Sequence, residues 1–141
     1  MTDLLPVKLA AFTLSILPLL IENLKIQAAS NRGNAILFIA GLAFAALELV
    51  IQASQPSLAL FGGWLLIIAG SVALAVFGLI SGGVAKTLAA LAPWVTLGEF
   101  VIAFAIGMVA VGLFGHLRGR TTVGIVAPLY LAICVTWIFT A

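Results

Sequence analysis

Five stretches of about twenty apolar residues follow one another in this chain, and its ten Lys, Arg, Asp and Glu fall almost entirely between them. That arrangement fixes the solvent. A water-soluble domain of 141 residues has too much surface for its volume to hide so many apolar runs. A lipid bilayer accepts them, because a helix satisfies its own backbone hydrogen bonds and needs no water around it. The expectation is an all-α, polytopic integral membrane protein, a single transmembrane domain over residues 1–141. It should have five transmembrane helices, or four if the first or last only lies against the membrane.

The spans are read at residues 4–24, 35–53, 58–80, 93–115 and 121–141. Pro18 predicts a kink in the first and Pro128 a bend in the last. Asn31-Arg32-Gly33-Asn34, Ser54-Gln55-Pro56-Ser57 and Ser81-Gly82-Gly83 read as reversals. Residues 84–92 are ambiguous, since Lys86 and Thr87 lie among alanines and leucines. They fit either an interfacial helix or the first turns of the fourth span. Lys8 followed by an apolar run to Ile21 has the outline of a signal peptide, with a cut at Ala28-Ala29-Ser30. Glu22, Asn23 and Lys25 interrupt that approach, so the run is expected to stay.

Composition excludes several classes. Six Lys and Arg against four Asp and Glu is too small a surplus for a nucleic-acid surface. One His, one Cys and four scattered carboxylates do not assemble a metal site of three or four ligands, nor two axial histidines for a haem. No cofactor is expected. No catalytic set of Ser, His and Asp and no carboxylate pair can be drawn, so an enzyme is the weakest class.

With five spans, Lys8, Arg118 and Arg120 share one side while Lys25, Arg32 and Lys86 share the other, and the positive-inside rule gives no orientation. An offset of 86 residues lays Arg32-Gly33 over Arg118-Gly119 and the first span over the fourth. An odd number of spans between such copies would make an inverted repeat of spans 1–2 and 4–5, the plan of many secondary transporters. The stretch from Thr121 to Tyr130 resembles a helix of the drug/metabolite transporter superfamily, without the Gly-Glu that often closes such helices. That resemblance implies a small multi-span carrier.

Glu48 is the most informative single residue. It lies inside the second span, where a carboxylate costs on the order of 3 kcal/mol on insertion scales and should face protein or trapped water. Gly41, Ala45, Glu48 and Gln52 share one helical face, small and polar. Thr96, Glu99 and Gly107 do the same on the fourth span, with Glu99 where the helix dipole favours negative charge. Glu48, Gln52, Glu99 and Thr96 are the candidate substrate or ion-binding groups, with Glu48 and Glu99 expected toward opposite faces of the membrane. Ser71, Ala75, Gly78 and Gly82 form a small-residue packing stripe on the third span. Lys8, Trp64, Trp94, Trp137, His116, Arg118 and Arg120 read as lipid-headgroup anchors.

Two functions compete. Two intramembrane glutamates and glycine-lined, proline-interrupted helices favour a carrier or permease moving a small solute or ion, in the plasma membrane. The poverty of charge equally fits a homo-oligomer or a non-catalytic subunit of a larger membrane complex.

Overall fold

The computed structural model describes residues 4–26, 30–51, 57–118 and 124–140. Among them are six α-helices and one 3-10 turn, and no strand: α1 (Leu5–Ile26), α2 (Asn31–Ile51), α3 (Leu58–Val76), α4 (Gly82–Leu91), the 3-10 turn Ala92–Trp94, α5 (Leu97–Arg118) and α6 (Val126–Thr140). Four of these, α1, α2, α3 and α5, are long and apolar enough to cross a membrane. The expected fifth span is the shorter α6, of 15 residues, and a separate helix, α4, stands where the sequence was ambiguous.

Polarity runs from inside to outside, the reverse of a soluble protein. Leu14, Ile39, Leu65, Val109 and Leu113 are exposed on the helix surfaces. Ser71, Thr87 and Thr136 are buried, and each hydroxyl donates to the carbonyl four residues back, at 2.7, 3.2 and 2.8 Å. A lipid solvent demands this arrangement, since a polar group facing it has no partner. The fold is that of a helical membrane protein.

Serines start three of the helices. The Oγ atoms of Ser30, Ser57 and Ser81 accept the N–H of Gly33, Leu60 and Val84 at 2.9, 3.1 and 3.3 Å. Each meets one of the amides that a helix start leaves without an internal partner. The Ser30 cap draws Asn31 to Asn34, expected as a reversal, into the first turn of α2. Glu22 steadies this corner, its carboxylate accepting the Ser30 N–H at 3.1 Å. Pro128 is the third residue of α6, where a helix has no internal acceptor for an N–H, so the bend expected there has no cause. The packing stripe on the third span is also corrected. α3 ends at Val76, Gly78 turns with φ +72°, and Gly82 opens α4, so these residues do not share one helix face.

Side-chain pairs set the direction of each helix. Lys8 sits over the Trp137 ring and Thr13 bonds the Tyr130 hydroxyl at 2.9 Å, which makes α1 and α6 antiparallel. Lys86 bonds Asn31 while Trp94 packs on Gly41, so α4 and the 3-10 turn run parallel to α2. The described residues therefore run six times between the ends of the bundle, with α4 and the 3-10 turn as one broken pass. One end holds the starts of α1, α3 and α5 and the finish of α6; it is called the Lys8 end. The opposite one is the Lys86 end. Two expectations fall with this. The start of α1 and the finish of α6 lie together, where an odd number of spans would separate them. α1 and α5 point the same way, as do α2 and α6, so the two pairs are not inverted copies.

The broken pass is the centre of the molecule. Ala85, Leu88, Ala90, Leu91 and Ala92 are all buried against α2 and α3, small residues allowing close approach of the backbones. Pro93 ends the helix, since it lacks an N–H and its ring crowds the carbonyl four residues back. Beyond it Trp94, 1% exposed, meets Phe12 at 5.2 Å and Phe44 at 5.8 Å between ring centroids, and Phe12 meets Trp137 at 5.1 Å. Trp94 and Trp137 are thus core residues and not headgroup anchors, because the pass that carries Trp94 runs through the bundle.

Candidate functional site

Two cavities lie along the crevice formed by α2, α3 and the broken pass. The one at the Lys8 end has a volume of about 300 Å³ and is lined by Lys8, Glu48, Ser57, Trp64 and Thr96, with Ala45, Pro93 and Trp94 at its base. The one at the Lys86 end, about 380 Å³, is lined by Asn31, Asn34 and Lys86 and by the apolar Phe38, Ile68, Ala89 and Ala90. Between them the indole of Trp94 rests on Gly41 and donates from Nε1 to the Leu37 carbonyl at 2.8 Å. Trp94 and the face of α2 from Leu37 to Phe44 lie between the two linings.

At the Lys8 end, the chain from Pro93 to Thr96 lines the cavity. Val95 is extended, with φ −130° and ψ 150°. Non-helical backbone at membrane depth persists only inside protein or against a water-filled space, and here Trp94 and Val95 are buried inside protein. Glu48, half-buried near the finish of α2, faces the same cavity as Lys8, whose ammonium lies 4.6 Å from the Trp137 ring centroid. Trp64 is half-buried and its indole nitrogen is enclosed with no partner among the described residues.

Glu99 has a different task. Its carboxylate accepts the Thr96 N–H at 2.7 Å and the Thr96 hydroxyl at 3.0 Å, while the Glu99 N–H donates back to that hydroxyl oxygen at 3.3 Å. This is a reciprocal cap on α5. The expectation that Glu48 and Glu99 lie toward opposite faces is corrected: the broken pass reverses α5, so Glu48 and the capped start of α5 share the Lys8 end. Thr96-Leu97-Gly98-Glu99 carries the capping-box spacing, and that signal was legible in the chain.

At the Lys86 end the informative residue is Asn34, which composition and spacing did not single out as a site. It is 6% exposed, and neither Oδ1 nor Nδ2 has a partner among the described residues. A buried donor or acceptor left unmet costs about 1–3 kcal/mol, so this amide is not there for stability alone. Lys86 donates to Asn31 Oδ1 at 3.0 Å beside it.

The remaining sites fall as follows. Ala45 is buried at the base of the Lys8-end cavity, and a Cβ on Gly107 would come within 3.0 Å of Leu129 on α6. Ser71 is buried and Ala75 half-buried on α3, while Gly78 and Gly82 are exposed with open space around them. His116 is exposed near the finish of α5 and Arg118 closes that helix. Gln52 and Arg120 lie outside the described residues. No known protein family, curated protein or solved structure matches the chain.

Proposed function

We propose that this protein is a carrier that moves a small solute across the plasma membrane through the crevice between α2, α3 and the broken pass. One observation supports the reading: cavities lie toward opposite ends of the crevice, one reaching Pro93 and Trp94 and the other reaching Phe38, Ala89 and Ala90. A broken helix beside a midplane site is the arrangement that lets a bundle open to one face and then the other. Glu48 and Lys8 serve the solute or a coupled ion at one end, and Asn34 and Lys86 at the other. The charge balance supplies an orientation once six passes are counted. Among the described residues, Lys25, Arg32, Lys86 and Arg118 belong to helices at the Lys86 end, against Lys8 at the other. By the positive-inside rule the Lys86 end is cytoplasmic.

The test is a cysteine at Phe38, on the Lys86 side of Trp94, in a Cys134→Ser background. In cells and inverted vesicles that hold the native solutes, a membrane-impermeant thiol reagent should label Phe38→Cys from both faces, because the crevice opens to each in turn during the cycle. Labelling from the cytoplasmic face alone means a permanently closed crevice. It would remove the carrier reading and leave a non-catalytic subunit of a membrane complex.

A further inference from the structure

We propose that the cavity at the Lys8 end binds a neutral α-amino acid with an apolar side chain, its carboxylate toward Lys8 and its ammonium toward Glu48. Its role as a substrate rests on the carrier reading of this crevice; the recognition rests on two opposite charges lining one cavity of about 300 Å³. No ion pair joins Lys8 to Glu48 among the described residues. Neither charged group is among the side-chain atoms sealed from the surface without a partner, as the Trp64 Nε1 is. The Lys8 ammonium lies 4.6 Å from the Trp137 ring centroid, a contact that steadies it and leaves its hydrogens for an acceptor. An ionised Glu48 only accepts, so a ligand ammonium suits it.

Both charges stand at the wrong ends of their helices. Lys8 is the fourth residue of α1, near the positive end of that helix's dipole, and Glu48 is the fourth from the finish of α2, near the negative end. A ligand carboxylate beside Lys8 and a ligand ammonium beside Glu48 relieve both placements at once. A simple cation in this space meets Lys8, and a simple anion meets Glu48. A zwitterion has a partner for each and brings no net charge into the bundle. The apolar wall sets the rest of the molecule. Ala45 stands three residues before Glu48 on α2, deeper in the bundle, and forms a buried base with Pro93 and Trp94. Opposite charges toward the mouth above an apolar base suit a ligand whose two charged groups share one carbon, with a short side chain pointing away from them.

The experiment titrates the full chain, in phosphatidylcholine nanodiscs at neutral pH, with valine, leucine, isovalerate and isobutylamine, and reads binding by calorimetry. The expected result is saturable binding of valine, leucine or both, with isovalerate and isobutylamine each at least tenfold weaker than the better amino acid. Glu48→Gln should weaken amino-acid binding at least tenfold and bind isovalerate more tightly than the parent does, because a repulsion is gone. Lys8→Met should weaken the amino acid similarly and favour isobutylamine for the same reason. A role in folding alone would not exchange these preferences. No saturable binding of either amino acid, the result if Lys8 and Glu48 only balance each other's charge, overturns the proposal. So does amino-acid binding left unchanged in either variant. Amino-acid binding together with one-sided labelling of Phe38→Cys would keep the site and remove the carrier, and two-sided labelling without binding would do the reverse.

Discussion

The indole of Trp94 occupies the space that a side chain on residue 41 would need: a Cβ on Gly41 would stand 2.7 Å from the Trp94 Nε1 and 2.8 Å from its Cδ1. The missing side chain lets the indole reach the Leu37 carbonyl, and with it the broken pass is seated on α2. Gly41→Ala should therefore push the ring off its seat, at a cost of about 1–3 kcal/mol typical of overpacking. Gly70→Ala supplies the contrast. Gly70 lies in α3 with nothing within 4 Å of an added Cβ, so that change should be neutral or stabilising by about 0.4–1 kcal/mol. Reversible unfolding in mild detergent compares them, and equal stabilities would show that the Trp94 seat is loose.

Gly78 should behave differently from a packing glycine. Its φ of +72° is a left-handed conformation, and an added Cβ would meet no neighbour. Gly78→Ala and Gly78→Leu should each cost about 1–2 kcal/mol, the backbone penalty, regardless of side-chain bulk. A leucine much worse than the alanine in the same unfolding assay would restore a helix-packing role for that position.

Glu48 and Glu99 should separate on stability. Glu99→Ala removes the acceptor of the Thr96 N–H and hydroxyl and should cost about 0.5–2 kcal/mol, the range for lost helix caps. Thr96→Ala should cost a similar amount, and the double variant less than the two together, because the residues form one unit. Glu48→Gln should fold as well as the parent, since no hydrogen bond to its side chain is seen among the described residues. A melting temperature that falls for Glu48→Gln and not for Glu99→Ala would exchange the two assignments.

Much of this architecture was readable from residue order alone, and the exceptions have one cause. The long apolar runs of α1, α2, α3 and α5 announce themselves because lipid tolerates little else over about twenty residues. α4 did not, because a short helix packed against α2 and α3 need not be apolar throughout. Lys86 and Thr87 sit comfortably there, one at the mouth of a cavity and the other with its hydroxyl bonded to Gly83. Missing that one pass reversed every later helix. It placed Glu99 at the wrong end, turned a four-to-one charge asymmetry among the described residues into a tie, and suggested an inverted repeat. Glu48 was legible because a carboxylate inside an apolar run needs a reason. Asn34 was not, since one asparagine next to Arg32 and Gly33 looks like any turn until its burial is known.

The most direct measurement is the side on which each helix end emerges. In the Cys134→Ser background, single cysteines at Pro6, Thr140, Arg32 and His116 would be labelled in intact cells with a membrane-impermeant maleimide. Six passes with the Lys86 end cytoplasmic predict that Pro6→Cys and Thr140→Cys react from outside. Arg32→Cys and His116→Cys should react only after the membrane is opened. If Pro6→Cys and Thr140→Cys instead react from opposite faces, α4 and the 3-10 turn do not form a pass, and the crevice between two cavities is not a route across the membrane.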